Sequence, residues 1–135
     1  MAKFTGSCLC GSVSFKADGE PMFTGNCHCE DCRKATGASY ATIVFMGQSD
    51  VEMSGDLSTF DHTADSGTVL TKSFCGKCGG TVATQNSARA GMIGLMAGVI
   101  NEHDIVKPGM NVYAGNKLAC TPLDEKIPAF DKMPG

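Results

Sequence analysis

Hydrophobic and polar positions alternate along much of this chain, and the alternation predicts short β-strands. Val13, Phe15 and Ala17 are separated by polar residues, which is the period of a strand with one buried face. Other segments are rich in β-branched and aromatic residues or are continuously apolar, and these are also interpreted as strands. They cover residues 39–45, 51–54, 58–62, 68–74, 81–84, 92–100 and 111–113.

The segments between these strands contain turn signals and little that is typical of helices. Residues 18–21 and 55–57 are predicted turns, and residues 34–38 are predicted to form no more than one helical turn. The 17 glycines also favour a turn-rich β protein. We find no long amphipathic helix, internal repeat or linker. The sequence therefore predicts an all-β fold of short strands, in one domain that spans residues 1–135.

Charge and hydropathy exclude several classes of function. The net charge is −3, and no basic cluster is larger than Arg33-Lys34, so we expect no nucleic-acid partner. No apolar run approaches the roughly 20 residues of a membrane span, so we expect no membrane partner. Residues 1–7 lack the apolar segment of a secretory signal. These features predict a cytoplasmic protein.

Eight cysteines are the main candidates for chemistry. In a reducing compartment, closely spaced cysteines are more often metal ligands or redox centres than disulfides, and we favour metal over disulfides here. They form two pairs, one group of three and one isolated residue: Cys8 with Cys10, Cys75 with Cys78, Cys27 with Cys29 and Cys32, and Cys120.

The group of three predicts a metal centre with an open coordination position. In an extended run, Cys27 and Cys29 point to the same side, and a turn through Glu30 and Asp31 brings Cys32 back towards them. No fourth cysteine follows nearby. Structural zinc sites have four protein ligands, whereas catalytic sites usually have three and leave one position for water or substrate.

The two pairs predict a closed structural zinc site on Cys8, Cys10, Cys75 and Cys78, with iron as the alternative metal. The glycines around Cys75 and Cys78 let backbone N–H groups turn towards the thiolates. Three alternatives concern Cys120. It completes the group of three, so that both sites are structural; it is a small buried apolar residue; or it is a redox nucleophile.

Two residues near the group of three have open interpretations. His28 should point away from a metal held by its neighbours, and it either supports the metal ligands, contacts a substrate or is solvated. Arg33 either holds a substrate carboxylate through two parallel hydrogen bonds or pairs with Glu30 or Asp31.

Three blocks of this sequence resemble the glutathione-dependent formaldehyde-activating enzyme (GFA) family. They are Cys8-Leu9-Cys10-Gly11, then Cys27-His28-Cys29-Glu30-Asp31-Cys32-Arg33, then Phe74-Cys75-Gly76-Lys77-Cys78-Gly79. The resemblance implies an Mss4-like fold of stacked, mostly antiparallel sheets. It also implies two zinc ions per chain, one structural on the two pairs and one on the group of three, near which glutathione binds. The family often has Arg at the position of Lys72 and an aromatic residue at that of Cys120.

The activity that the resemblance implies is a carbon–sulfur lyase reaction that forms S-(hydroxymethyl)glutathione from formaldehyde and glutathione. The residues agree with it, because zinc on three thiolates with an open position can bind a thiol as its thiolate or polarise a carbonyl. Three thiolates weaken Lewis acidity, so we favour binding of the thiol. The alternative is a non-catalytic, zinc-stabilised module that holds glutathione, another small thiol or a protein partner.

Overall fold

A computed structural model describes residues 3–134; Met1, Ala2 and Gly135 lie outside the described residues. This part of the chain contains ten strands and one α-helix, α1 (Glu30–Thr36). The strands are β1 (Phe4–Ser7), β2 (Ser14–Ala17), β3 (Phe23–Cys27), β4 (Ala41–Gly47), β5 (Val51–Ser54), β6 (Leu57–Thr63), β7 (Val69–Cys75), β8 (Thr81–Asn86), β9 (Met92–Met96) and β10 (Met110–Val112). The predicted β fold is confirmed.

The strands form two sheets. The smaller sheet has the order β1-β2-β5, and the larger has the order β10-β3-β4-β9-β8-β7-β6. All neighbouring strands are antiparallel except β10, which runs parallel to β3. The mostly antiparallel arrangement is therefore confirmed. The one parallel pair brings the C-terminal part of the chain beside β3, which ends at Cys27.

The larger of two hydrophobic clusters among the described residues joins the two sheets. Phe15 and Ala17 are almost fully buried, which explains the alternation in this segment. Phe4 from β1 contacts Phe15 edge to face, with ring centroids 6.2 Å apart. Fully burying one such apolar side chain stabilises the fold by about 1.5–3 kcal/mol. The core residues from both sheets include Phe4, Phe15, Ala17, Val44, Met46, Val82, Ala83 and Leu95.

All eight predicted strands are present, but the hydrophobic pattern did not predict two further strands, β1 and β3. In β1, the inward position after Phe4 is occupied by Gly6 and so is not hydrophobic. A larger residue does not fit there, because its Cβ would lie 2.3 Å from the ring of Phe15. In β3, the buried positions are Thr24 and Gly25, and neither residue is strongly hydrophobic. The predicted strand 92–100 ends at Met96, where a short 3-10 turn begins, and the predicted turn 55–57 is shorter because β6 begins at Leu57.

The helix is longer than predicted and begins earlier. We expected one turn at 34–38, but α1 begins at Glu30 and contains Cys32. Acidic Glu30 in the first turn and Lys34 in the last are favourable positions relative to the helix dipole, and their side chains pair at 2.8 Å. Gly37 ends the helix in the left-handed conformation, at φ 72°.

No helix within residues 3–134 is both long and apolar enough to cross a membrane.

Candidate metal centres

The cysteine sulfurs form two clusters that match the predicted division. The four sulfurs of Cys8, Cys10, Cys75 and Cys78 all lie within 4.8 Å of one another, and so do the three sulfurs of Cys27, Cys29 and Cys32. Cys120 is in neither cluster and is exposed. The interpretation of Cys120 as a buried apolar residue is therefore wrong, and its pairing with the group of three has no support in this geometry.

Main-chain turns build the four-cysteine cluster. Cys8 follows β1 and accepts a hydrogen bond on its Sγ from the N–H of Val13 at 3.3 Å. Cys75 ends β7 and accepts one from the N–H of Lys77 at 3.4 Å. Gly79, at φ 75°, closes the turn by donating its N–H to the carbonyl of Cys75 at 2.8 Å. Such N–H donors stabilise thiolates, as the glycines of this segment led us to expect.

The sulfur separations in this cluster fit a tetrahedral metal. The Sγ of Cys10 lies 3.7 Å from the Sγ of Cys8 and 3.7 Å from the Sγ of Cys75. A zinc–sulfur bond of about 2.3 Å in tetrahedral geometry separates two sulfurs by about 3.8 Å. A disulfide would require about 2.05 Å. The described cysteines form no disulfide, and the four sulfurs could hold one metal ion.

The three-cysteine cluster lies where β3 meets α1. Cys27 is the last residue of β3, Cys29 is the N-cap of α1, and Cys32 is in its first turns. The Sγ of Cys29 accepts a hydrogen bond from the N–H of Cys32 at 3.3 Å, which is the role a Ser or Asp oxygen usually has at an N-cap. The Sγ atoms of Cys27 and Cys29 are 3.4 Å apart. The helix therefore replaces the turn that we expected at Glu30 and Asp31.

This cluster packs against a small group of apolar side chains and has three potential ligands. Cys32 is buried against Ala41, Ile43 and Met96 from β4 and β9. Within residues 3–134, no other Cys, His, Asp or Glu contributes a ligand atom to the group. Three sulfurs could hold a metal ion and leave one coordination position for another molecule.

Hydrogen bonds between the three sulfurs separate their pKa values. The pKa of Cys29 is lowered by hydrogen bonds from Cys27 and Cys32, with a further contribution from the positive charge of Lys72. The pKa of Cys27 is raised by its hydrogen bond to Cys29, and that of Cys32 by its bonds to Cys27 and Cys29. Three adjacent thiols cannot all ionise without a nearby cation. The donor set therefore suits a divalent metal ion.

His28 is not solvated. It is 1% exposed, and its Nε2 lies 3.3 Å from Oδ1 of Asn111. Its ring packs against Tyr40, with centroids 4.7 Å apart. Oδ1 of Asn111 also accepts a hydrogen bond from Asn26, so these contacts tie the loop between β3 and α1 to β10. The alternative of a solvated His28 is wrong, and the residue supports the loop between two of the sulfurs.

Arg33 has a different partner from the acidic residues that we considered. Its Nε donates to the carbonyl of His28 at 3.4 Å. Glu30 pairs with Lys34, and Asp31 lies 3.9 Å from Nδ1 of His62. Among the described ion pairs, none joins Arg33 to Glu30 or Asp31. Its role in holding a substrate carboxylate stays a prediction.

Lys72 and Tyr113 lie near the three sulfurs, but neither residue was assigned to a site from the sequence. Lys72 on β7 influences the pKa of Cys29, and its Nζ donates to Oγ1 of Thr84 at 3.2 Å. Tyr113 follows β10, and its pKa is raised by burial and by the three cysteines. Tyr113 lies near the cysteines because β10 pairs in parallel with β3, which is more than 80 residues earlier in the chain. The sequence contains no local signal for this pairing.

A solved structure supports the architecture. The chain resembles the crystal structure of a Rhodobacter sphaeroides protein, with a TM-score of 0.59 and 20% sequence identity. The similarity covers 77% of this chain and 96% of the other. At this level of identity, the likeness shows a shared fold. Among curated proteins, none matches this chain.

The sequence profile described as glutathione-dependent formaldehyde-activating enzyme matches residues 3–116. The match includes all seven clustered cysteines and all ten described strands. Because it extends over most of the 135 residues, the chain belongs to the glutathione-dependent formaldehyde-activating enzyme (GFA) family.

Proposed function

We propose that this protein is a zinc-dependent carbon–sulfur lyase that acts on adducts of glutathione with an aldehyde such as formaldehyde. The observation that carries the proposal is the cluster of Cys27, Cys29 and Cys32, whose three sulfurs have no fourth ligand among the described residues. Membership of the GFA family supplies the substrate class. The product of the synthetic direction is S-(hydroxymethyl)glutathione.

We assign different roles to the two clusters. Cys8, Cys10, Cys75 and Cys78 hold a structural zinc, because four sulfurs complete its coordination. Cys27, Cys29 and Cys32 hold a second zinc. When it is bound there, this zinc lowers the pKa of a thiol that reaches its open position. The protein then contains two zinc ions per chain. The seven thiols must stay reduced, so we place the reaction in the cytoplasm.

The reaction needs no redox partner. The thiol sulfur of glutathione adds to the aldehyde carbon, a carbon–sulfur bond forms, and the π electrons of the carbonyl move to oxygen. The proton that leaves the thiol is balanced by one that the oxygen takes up. The reverse reaction cleaves the same bond. No electron is transferred overall, which agrees with zinc, an ion without redox chemistry.

Positive charge near the cluster supports an anionic substrate. Lys72 is close enough to Cys29 to lower its pKa, and Arg33 is anchored to the loop that carries the cysteines. Glutathione has two carboxylates at pH 7. We propose that these two cations attract the peptide and leave its thiol directed at the open side of the cluster.

Exchange of formaldehyde with glutathione tests this function. The two react without a catalyst, so the quantity to measure is the enzyme-dependent acceleration of adduct formation and cleavage, by NMR exchange spectroscopy. We expect acceleration by the wild-type protein and loss of it in Cys29→Ser, which removes one sulfur and keeps a favourable N-cap residue. Binding of glutathione by calorimetry without any acceleration would instead identify a non-catalytic binding module.

A further inference from the structure

The backbone of Tyr113 has an unusual conformation. Within residues 3–134, it is the non-glycine residue with a positive φ, at φ 53° and ψ 35°. This left-handed region is unfavourable for a residue with a Cβ and is more often occupied by glycine. Such strain persists where the surroundings impose it, and it is concentrated at functional sites.

The C-terminal segment imposes this conformation. The N–H of Tyr113 donates to the carbonyl of Lys132 at 3.0 Å, and the N–H of Ala114 donates to Phe130 at 2.9 Å. The carbonyl of Tyr113 accepts a hydrogen bond from the N–H of Asn116 at 2.9 Å. Three main-chain hydrogen bonds therefore fix the turn that directly follows β10.

This turn lies beside the three-cysteine cluster. Val112, the residue before Tyr113, is the register partner of Cys27, and its carbonyl accepts a hydrogen bond from the N–H of His28 at 3.1 Å. Tyr113 is therefore the next residue after the contact between β10 and the loop that carries the cysteines. Its side chain is half-buried.

The phenol of Tyr113 is neutral at pH 7. Burial raises its pKa above the usual value. A tyrosine hydroxyl that already has a pKa of about 10 is thus a hydrogen-bond donor at pH 7.

We propose that Tyr113 is a catalytic residue whose O–H donates a hydrogen bond to the aldehyde oxygen as the glutathione sulfur adds to the adjacent carbon. The inference rests on the proposed function. As the carbon–sulfur bond forms, negative charge develops on this oxygen, and the hydrogen bond strengthens in the transition state. The phenol keeps its proton; the oxygen receives its own from the solvent, which takes up the thiol proton. Glutathione itself binds without this contact.

The two tyrosines of the chain provide a matched pair of variants. Tyr113→Phe removes the hydroxyl and keeps the ring, and Tyr40→Phe does the same where the ring only packs against His28. We expect Tyr113→Phe to lower the enzyme-dependent kcat/KM by about 10²-fold, as loss of one oxyanion donor does. The decrease should be in kcat, with KM for glutathione unchanged. Tyr40→Phe should match the wild type.

A spectroscopic measurement tests the contact without turnover. The chain has no tryptophan, so in Tyr40→Phe the intrinsic fluorescence comes from Tyr113 alone. Its emission should change when glutathione and formaldehyde are added together to the zinc-loaded protein. S-methylglutathione with formaldehyde cannot form the adduct and should leave the emission unchanged.

The outcomes separate this inference from the proposed function. Turnover by Tyr113→Phe at the wild-type rate, or an emission of Tyr113 that does not respond to the adduct, overturns the role of Tyr113 alone. Absence of acceleration by the wild type overturns both proposals. If Tyr113→Phe does not fold, Tyr113→Gly is used in its place, because glycine readily adopts this backbone conformation. It should be folded and at least as impaired as Tyr113→Phe.

Discussion

The hydroxyl of Thr81 donates a hydrogen bond to the main-chain carbonyl of Ala35 at 3.2 Å, and this contact connects the regions of the two cysteine clusters. Thr81 begins β8, a few residues after Cys78 of the four-cysteine cluster. Ala35 lies in α1, which contains Cys32 of the other cluster. The position of the short helix therefore depends on the turn that the four-cysteine cluster organises.

We predict that Thr81→Val lowers the stability of the protein and weakens metal binding at the three-cysteine cluster. Loss of one partly buried hydrogen bond should lower the free energy of unfolding by about 1 kcal/mol. Because α1 loses an anchor, a chelator should remove metal from its cluster faster. Urea unfolding and chelation kinetics measure the two effects. Thr59→Val, at an exposed position of β6, is the control, and equal chelation rates for both variants would contradict the coupling.

The division of seven sulfurs into four and three predicts the metal content. Protein purified without chelator should contain two zinc ions per chain by elemental analysis, because each cluster could hold one ion. Cys120→Ser should also contain two, since Cys120 lies outside both clusters. One metal per chain, or iron in place of zinc, would refute the two-zinc proposal.

The two clusters should differ in their effect on folding. A structural zinc contributes on the order of 10–16 kcal/mol in small peptides. This is comparable to the ~5–15 kcal/mol total stability of a domain. Cys75→Ser breaks a site that joins β7 to the segment after β1, and we expect unfolded or insoluble protein. Cys29→Ser should fold and contain one metal ion fewer, because Ser is a favoured N-cap.

Soluble yield, circular dichroism and metal analysis measure this difference. The two variants make the same chemical change, from sulfur to oxygen, so any difference reflects the position of the cysteine. Equal collapse of both variants would show that the three-cysteine cluster is also structural.

The two clusters of cysteine sulfurs were the most predictable part of the molecule. The short spacing of Cys27, Cys29 and Cys32 limits how far their sulfurs can separate, and the glycines near Cys75 signalled the turn. The alternating strand at β2 was equally clear, because its apolar residues all face the core. Local spacing and period 2 thus contain enough information for these elements.

The rest depended on contacts between distant parts of the chain. β3 was missed because its buried positions are Thr24 and Gly25, whose burial is decided by neighbouring strands. α1 was underestimated because Cys29, which is not a usual N-cap residue, accepts the capping hydrogen bond. Tyr113 lies near the cluster only because β10 pairs with β3, which places Val112 opposite Cys27. No local pattern reports such pairings.

The stability of the protein should depend on pH through Glu102. Its pKa is lowered by the hydrogen bond from the backbone N–H of Thr5, 2.7 Å from Oε1, and by the Thr5 hydroxyl. A carboxyl whose pKa is lower in the folded state stabilises the fold above its unfolded pKa of about 4.3. This contribution is lost as the pH falls through the lower, folded pKa.

We therefore expect Glu102→Gln to be less stable than the wild type at pH 7, and the difference to shrink below about pH 4.3. Acid also releases metal from thiolates, so excess zinc is present and the two proteins are compared only at pH values where both are folded before urea is added. Urea unfolding between pH 3 and pH 7 measures the difference in their free energy of unfolding. Glu125→Gln, at an exposed position, is the control. A difference that stays constant across this range would refute the role of the Glu102 charge.

The proposed site should recognise the thiol of its substrate. The open side of the three-cysteine cluster suits a soft sulfur ligand, and S-methylglutathione keeps the peptide but cannot bind as a thiolate. We expect the zinc-loaded protein to bind glutathione much more tightly than S-methylglutathione by calorimetry. Glutathione should release one proton on binding, as measured from the dependence of the heat on the ionisation enthalpy of the buffer.

Release of this proton determines how the affinity for glutathione changes with pH. Since the thiol binds in its deprotonated form, the affinity should rise about tenfold per pH unit below the thiol pKa of about 8.5, and level off above it. S-methylglutathione should show no such dependence, and Cys29→Ser should abolish it for glutathione. If glutathione and its S-methyl form bind with equal affinity and no proton release, the cluster holds the peptide without its sulfur, and the proposed lyase reaction is wrong.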